Sequence, residues 1–455
     1  MTPDPRHIAL VLLQESQNIK TTLDHVLDHF QDRLDAMSGP DRRLCHAIVF
    51  GVLRQRAFLD HIIKTFSDMP FNRLDTRVII LLRIALFQMI FLDRIPDFAA
   101  INTSIDLAKN QGLKKASGFI NAVLRNAAEN HSKIQIPHKK NSPAHMAVSF
   151  SFPSWLVQKW RSAFGVDQTR ILFNIINEIP PLTLRANSLR STRTDLGAAL
   201  RSSGLEIEPT QTSPDGIQIL SRGVRVQDLP GFDQGHFQVQ DEAAQLVGRI
   251  LDPRPGETVL DACTGLGSKA FHLAQLMKDQ GSILGMDTVT SKLAGLDQEA
   301  LRLGITIVET RHADLLKTTL KDCKTFFDRV LIDAPCSGLG VMRRNPDTKW
   351  KRSQNDVIRL SGRQKKMLNA AANLVRPGGV LVYAVCSCEK EENEDVIDSF
   401  LLKRKDFTLD KNPDLSFALP GILNPQGFFK TYPDHAHMDG FFAARLIRSP
   451  KGKGS

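Results

Sequence analysis

Two cysteines stand where the sequence could place a reactive thiol. Cys336 follows the apolar run RVLIDAP, and Cys386 ends the run VLVYAVC. A short apolar run that stops at a loop is typical of a buried parallel strand. Ligands of an open α/β sheet bind beyond the carboxyl ends of its strands. We therefore predict both thiols at a ligand-binding edge, where a thiolate could act as a nucleophile.

A second group of candidate residues follows an earlier strand, ETVLDAC, in a glycine-containing turn that opens a helix. This turn consists of Cys263, Thr264, Gly265, Leu266, Gly267, Ser268 and Lys269. Glycines in such a turn let a ligand approach backbone N–H groups closely. Asp287 ends the next strand, where a carboxylate can accept from ribose hydroxyls, and Asp314 follows the third strand, toward an adenine edge.

Each of these features alone is more often an ordinary turn or a solvated aspartate. Their order, one at each successive strand end, favours a nucleoside cofactor. The sequence contains neither a complete GxGxxG pattern nor GxxxxGK[ST], which argues against a dinucleotide and against a triphosphate.

Composition narrows the class of protein. The 455 residues carry a net charge of +10, which is compatible with a polyanionic partner such as RNA. The six cysteines lie apart without a CxxC pair, so we expect free thiols, a reducing compartment and no metal site. The amino terminus lacks a signal pattern and no apolar run is long enough to span a membrane, so we expect a cytoplasmic protein.

Hydrophobic periodicity divides the chain. Helical spacing predicts an all-α domain over residues 1–140, with six or seven helices, and short strands with one helix predict a small α+β module over 141–236. Strands and helices then alternate over 237–449, which predicts a doubly wound α/β (Rossmann-like) domain. Residues 450–455 are expected to be a disordered tail.

With these residues placed, the third domain resembles the S-adenosylmethionine-dependent RNA cytosine-C5 methyltransferases of the RsmB/NOP family. The signatures that carry the resemblance are DAPCSG at 333–338 and CSCEKEEN at 386–393. The first domain resembles the NusB antitermination fold. The combination, with DGFFAARL at 439–446 as the last strand, is similar to the members of that family that act on 16S rRNA.

The resemblance implies roles for three residues. Cys386 would be the nucleophile that adds to cytosine C6, and Cys336 would assist elimination and release. Asp333 would position the base and also contact the cofactor. The implied cofactor is S-adenosylmethionine, held by the turn at 263–269 with Asp287 and Asp314.

Two departures from the family pattern bear on the site. The usual cofactor loop is CAAPGGK, whereas this chain has CTGLGSK, so we expect binding with altered affinity. Cys388 replaces an aliphatic residue, and we expect it to pack. A helix predicted over 389–402 would place its positive end near Cys386 and lower the pKa of that thiol.

The predicted RNA surface rests on basic residues. Arg343 and Arg344 could contact phosphates near the flipped base, although a solvated loop is equally consistent with them. Lys139, Lys140 and Arg185 could extend this surface. The expected partner is 16S rRNA, with no membrane, and the chain is expected to be a monomer.

Two alternatives stay open at this point. The same chemistry could act on tRNA or 23S rRNA, because the motifs specify a reaction rather than a target. The altered cofactor loop also leaves room for an RNA-binding assembly factor with weakened catalysis. Retention of Asp287, Asp314, Asp333 and both cysteines argues against that second alternative.

Overall fold

The computed structural model describes residues 4–19, 21–136, 139–413, 421–433 and 438–450. It forms two compact units, one of Met1–Glu178 with Arg344–Arg352, and one of Ile179–Arg343 with Ser353–Ser455. The sequence placed boundaries at residues 140 and 236. The structure instead groups residues 141–178 with the helical unit. The predicted tail lies, apart from residue 450, outside the described residues.

The first unit is helical. In chain order its helices are α1 Pro5–Glu15, α2 Leu23–His29, α3 Gln31–Asp35, α4 Gly39–Arg54, α5 Arg56–Phe66, α6 Thr76–Phe91, α7 Asp97–Asn110, α8 Ser117–Asn130, α9 Pro143–Ser149 and α10 Ser154–Asn177. Within the described part of the chain, eight α-helices precede residue 131, one more than the largest number predicted. Ser38 accepts from the N–H of Asp41 and so caps α4. Helix α6 lies at the centre of the core.

The second unit begins with a small antiparallel sheet. Its elements are β1 Leu182–Ala186, α11 Arg193–Ser202, β2 Ile207–Pro209, β3 Gly216–Ile219 and β4 Phe237–Val239. The strand order is β2-β3-β1-β4, so β1 is a central strand. The fourth strand lies just past the boundary that we predicted at residue 236.

The main sheet of the second unit has eight strands. Its elements in chain order are α12 Glu242–Leu251, β5 Thr258–Asp261, α13 Ser268–Leu276, β6 Ser282–Asp287, α14 Thr290–Leu293, α15 Leu296–Leu303, β7 Val308–His312, α16 Leu320–Cys323, β8 Phe327–Asp333, α17 Thr348–Lys351 (part of the first unit), α18 Gln354–Ala372, β9 Val375–Val385, α19 Glu394–Lys403, β10 Phe407–Leu409, β11 Phe428–Lys430 and β12 Phe442–Arg448. The order is β10-β12-β9-β8-β5-β6-β7, with β11 paired to β12.

The topology confirms the predicted α/β fold. Strands β5 to β9 pair in parallel, and β12 joins β9 in the antiparallel direction. The strand order reverses at β5, which lies between β6 and β8. Ligands of such sheets bind at this switch point, beyond the carboxyl ends of the strands. The turn at 263–269 and the Cys336 loop both follow strands at this point.

A segment of nine residues, 344–352, leaves the second unit and packs with the helices of the first. The Nε1 of Trp350 donates to the carbonyl of Leu53 over 2.6 Å, and the Nζ of Lys349 donates to that of Arg54 over 2.9 Å. The predicted domain 237–449 is therefore not a continuous structural unit. Among the described residues, no helix is both long and apolar enough to cross a membrane.

Candidate active site

The two cysteines meet because their strands are neighbours. Strands β8 and β9 pair in parallel, with Asp333 opposite Ala384, so Cys336 and Cys386 follow at the same edge. Their sulfur atoms lie 3.2 Å apart. The structure thus brings together the two thiols that the sequence predicted at strand ends.

The surroundings of the two thiols differ. The hydrogen bond with Cys386, then burial, raise the pKa of Cys336 well above its usual value. Cys336 therefore keeps its proton and can donate it to the sulfur of Cys386. Burial opposes the charge of Lys269, yet the neighbouring Asp333 raises the pKa of that ammonium, with a further contribution from Cys386. Lys269 thus stays charged and is near enough to stabilise a Cys386 thiolate.

The helix predicted to begin at residue 389 begins instead at Glu394. Cys386 is followed by an irregular loop, residues 386–393, and does not adjoin the positive end of the helix. The predicted position of the helix start, three residues after this thiol, is therefore wrong. The side chain of Asn393 donates to the carbonyl of Ser387 over 3.1 Å, which keeps the loop outside the helix.

Glu392 joins the two cysteine loops and was missed at the level of sequence. Its Oε1 accepts from the N–H of Ser337 over 2.8 Å, and its Oε2 accepts from the hydroxyls of Ser337 and Ser387 over 2.5 and 2.6 Å. The amide of Gln364 also donates to Oε1 over 3.0 Å. Each serine directly follows one of the two cysteines, so a single buried carboxylate fixes both loops.

Two glycines allow a close backbone crossing beside Cys386. The N–H of Gly340 donates to the carbonyl of Cys386 over 3.1 Å, and the N–H of Gly440 donates to that of Gly340 over 2.9 Å. A Cβ atom on Gly340 would lie 1.9 Å from the carbonyl oxygen of Gly440. Cys388 is buried and packs against Gly440, as expected for a packing thiol.

The glycine turn has open space where a ligand could approach. Gly265 has a φ of 57°, and a Cβ atom there would meet nothing within 4 Å. Gly267, with a φ of 80°, lies against Phe271 and Leu296 and is the N-cap residue of α13. The Oδ2 of Asp287 accepts from the N–H of Gly265 over 3.1 Å, so the second strand end supports the turn.

Charge at this edge is mainly negative. Asp314 follows β7, and Asp261 and Asp333 end β5 and β8. The Nζ of Lys269 lies 2.6 Å from the Oδ2 of Asp333 and 5.5 Å from the ring centroid of Phe441. Burial, and then the charge of Asp333, raise the pKa of Asp261 to about 7. These carboxylates suit a cationic ligand better than a polyphosphate.

The five expected RNA contacts differ in exposure. Arg185 has no exposed surface, and its guanidinium is enclosed by glutamine side chains, so the expectation that it extends a basic surface is corrected. Arg343 is also buried, and an RNA phosphate could not reach it as the chain is folded. Lys139 and Lys140 are exposed, and Arg344 is half-buried. No cluster of potential metal ligands occurs among the described residues.

Family models match nearly the whole chain. The 16S rRNA methyltransferase RsmB/F model matches residues 248–447, and the NusB family model matches residues 3–129. The ferredoxin-like domain model of RsmF/B-like methyltransferases matches residues 152–227. The three models follow the predicted order of a helical, a small α+β and an α/β domain.

Individual proteins are similar over the same extent. The probable ribosomal RNA small subunit methyltransferase B of Synechocystis sp. is 34% identical, covering 98% of this chain and 99% of that protein. That of Bacillus subtilis is also 34% identical, covering 96% of each. The crystal structure of PH0851 aligns with a TM-score of 0.82 at 27% identity, covering 98% of this chain and 99% of the other.

Proposed function

Because the chain belongs to the 16S rRNA methyltransferase RsmB/F family, we propose that it methylates C5 of one cytosine in 16S rRNA, with S-adenosylmethionine as the methyl donor. The observation that carries the cytosine-C5 chemistry is the pair of sulfur atoms 3.2 Å apart, one of them held as a thiol. Methylation of an amino group or of a ribose hydroxyl would have no use for two adjacent cysteines.

The two cysteines take different parts in the reaction. The Cys386 thiolate forms a bond to C6 of cytosine, and electron density moves to C5. C5 would then take the methyl group from the donor's sulfonium sulfur, which would keep the electron pair of the broken methyl–sulfur bond. Loss of the C5 proton to solvent and cleavage of the C6–sulfur bond restore the C5–C6 double bond of the ring and the Cys386 thiolate. Cys336 holds a proton next to Cys386 and assists this elimination step by donating a hydrogen bond to the departing Cys386 thiolate.

Asp333 and Lys269 complete the base site. Asp333 ends β8 three residues before Cys336, so its carboxylate can accept from the exocyclic amino group of cytosine or bond a protonated N3. Lys269 holds Asp333 in place and supplies positive charge next to the attacking thiolate. Addition builds negative charge on the ring, which the ammonium of Lys269 and a proton held at N3 by Asp333 would neutralise.

The residues around the glycine turn fit S-adenosylmethionine. The turn at 263–269 would hold the methionine part with its N–H groups, and Asp287 and Asp314 would hold the ribose and the adenine. The acidic strand ends suit the sulfonium charge, and the open space over Gly265 leaves room for a ligand. When bound, this cofactor supplies an electrophilic methyl group.

The RNA must present its target base out of the stack, because C5 and C6 are not accessible to two thiols within a helix. Lys139 and Lys140, both exposed, and Arg344 remain our candidates for phosphate contacts. Truncating one such contact should weaken binding of all RNA sequences alike and reduce its salt dependence.

A trapping experiment tests the proposed chemistry. The variant Cys336→Ala, incubated with 16S rRNA and S-adenosylmethionine, should accumulate a covalent protein–RNA adduct, because release is blocked. Cys386→Ala should form no adduct and no product. Denaturing gel electrophoresis with radiolabelled RNA measures the adduct, and bisulfite sequencing locates the methylated cytosine.

Cys388→Ala serves as the control, because Cys388 lies in the same loop but packs against Gly440. It should turn over without trapping RNA. An adduct with Cys386→Ala would reverse the two roles. Adduct formation with tRNA or 23S rRNA in place of 16S rRNA would contradict the proposed target, and failure of the wild-type chain to bind S-adenosylmethionine would favour an assembly factor.

A further inference from the structure

Arg185 occupies the interior of the second unit. Its Nε donates to the Oε1 of Gln275 over 3.2 Å, and its Nη2 donates to that of Gln238 over 3.0 Å. Its Nη1 donates to the side chain of Gln240 and, over 3.1 Å, to the backbone carbonyl of Ser268. Four acceptors from two separate segments, 238–240 and 268–275, therefore surround one guanidinium.

This arrangement is costly for a structural cation. The hydrogen-bond partners of the guanidinium are neutral amide and carbonyl oxygens. Burial lowers the pKa of Arg185 to about 9 despite the charges of Asp215 and Glu299. A buried charge without a directly bonded carboxylate contributes little or negatively to stability. The planar fork, however, can fix several acceptors at defined angles.

Two of those acceptors belong to the helix that follows the cofactor turn. Ser268 is the first residue of α13 and Gln275 lies seven residues later, on the same face of the helix. Lys269, the next residue after Ser268, reaches Asp333. The carbonyl bond from Arg185 thus fixes the backbone between the glycine turn and the ammonium of the active site.

We propose that Arg185, a residue of the small sheet, is a positioning residue. It fixes the backbone of the cofactor turn and the position of the Lys269 ammonium. This inference rests on the proposed function for its ligand, S-adenosylmethionine, and assigns to the small sheet a role other than RNA contact. Asn187, which directly follows β1, makes a second buried bond from the small sheet to the main domain. Its amide donates to the carbonyl of Leu303, at the end of α15, over 2.8 Å.

The test compares Arg185→Lys with Arg329→Lys in the full chain. Arg329, four residues before the end of β8, is also buried, and it bonds Glu257 and the carbonyl of Leu251. We measure hydrogen exchange of 265–276 without ligand, the Kd of S-adenosylmethionine by calorimetry, the Kd of 16S rRNA by filter binding, and Tm.

Arg185→Lys should speed exchange of 265–276 and raise the Kd of S-adenosylmethionine by about 10-fold or more, because a lysine cannot bond the helix carbonyl and the glutamines together. Its RNA Kd should change by less than about 2-fold, since the residue is buried. Arg329→Lys should lower Tm to a comparable degree without either effect on the turn.

Three results would overturn the proposal: a loss of RNA affinity alone, unchanged exchange and cofactor affinity, or equal effects of both variants in proportion to Tm. If Arg185→Lys does not fold, Gln275→Met removes one acceptor on α13 and should raise the cofactor Kd by about 3-fold. A wild-type chain that binds no S-adenosylmethionine would refute the proposed function, whereas the exchange measurement would still decide the positioning role.

Discussion

At the scale of single residues, the active site places one ammonium among several carboxylates. Lys269 pairs directly with Asp333, and Asp261 lies buried nearby. The pair with Asp333 keeps Lys269 charged. The same ammonium offsets only part of the unfavourable surroundings of the Asp261 carboxylate. Burial, and then the negative charge of Asp333, therefore raise the pKa of Asp261 to about 7.

The raised pKa of Asp261 makes stability depend on pH. In the unfolded chain this carboxyl loses its proton near pH 4, but in the folded chain it keeps it to about pH 7. Stability attributable to Asp261 is therefore highest below pH 4, declines between about pH 4 and 7, and stays low above that range. Asp261→Asn should raise Tm at pH 8 and raise it less at pH 5, as calorimetry can measure.

Asp328 provides a control of opposite sign. Although burial opposes it, bonds from Thr258 and Arg376 lower the pKa of the Asp328 carboxyl. Its stabilising contribution is present at neutral pH and is lost as the pH falls through the folded value. Asp328→Asn should therefore lower Tm at pH 8. A Tm gain for Asp261→Asn that is the same at pH 5 and pH 8 would contradict the assignment.

At the scale of elements, the catalytic geometry belongs to two loops rather than to the strands that lead into them. The strands bring Cys336 and Cys386 to one edge, but the sulfur–sulfur distance also depends on how each loop turns. Glu392 bonds the serine after each cysteine. The carboxylate therefore acts on the reacting sulfurs indirectly, through Ser337 and Ser387.

Glu392→Gln should slow methylation at saturating substrate by about 10-fold or more, because the neutral amide weakens charge-assisted bonds to both loops. The Kd of S-adenosylmethionine should stay unchanged, since the glycine turn is separate from these bonds. Single-turnover kinetics and calorimetry measure the two quantities. In the double variant with Cys336→Ala, the rate of adduct formation should fall by the same factor.

Glu394→Gln is the matched control, since its carboxylate pairs with Lys430 over 2.6 Å. It should leave the methylation rate close to that of the wild-type chain. Equal losses for the two variants, or a loss for Glu392→Gln that disappears when Tm is restored by a stabilising additive, would refute a positioning role.

The strands could be predicted because their apolar runs record burial on both faces of a parallel sheet. The start of α19 could not. Acidic helix formers precede α19 and favour an earlier start. Instead, the side chain of Asn393 bonds the carbonyl of Ser387, and Glu392 accepts from the N–H of Ser337, 55 residues earlier in the chain. Such long-range bonds leave no periodic signal, so neither the loop after Cys386 nor the role of Glu392 was visible.

Arg185 shows the same limit for a buried polar group. Arginine within LTLRAN resembles a surface residue by its charge alone. One signal was available, because β1 is a central strand and four of its five residues are buried, including Thr183 and Arg185. The partners Gln238 and Gln275, however, come from distant segments, and the sequence could not pair them with this residue.

At the scale of the whole molecule, the chain order and the structural units do not coincide. Residues 344–352 follow the Cys336 loop in sequence but complete the helical unit. Lys349 is enclosed there, with its Nζ 4.0 Å from the ring centroid of Phe152. Asp347 accepts from the N–H of Leu23, the first residue of α2, over 3.1 Å. The helical unit thus depends on a segment located far from it in the sequence.

Trp350→Phe should reveal this dependence. The ring is retained, but the carbonyl of Leu53 loses the indole donor that lies 2.6 Å away, which should cost about 1 kcal/mol of unfolding free energy. Because the donor belongs to the helical unit, hydrogen exchange should quicken in α4 and leave β8 and β9 unchanged. Trp155→Phe, at a half-buried site on α10, should cost less. A donor that stabilises α4 must protect the amides of α4 first. Faster exchange confined to β8 and β9 would therefore show that residues 344–352 stabilise the second unit instead.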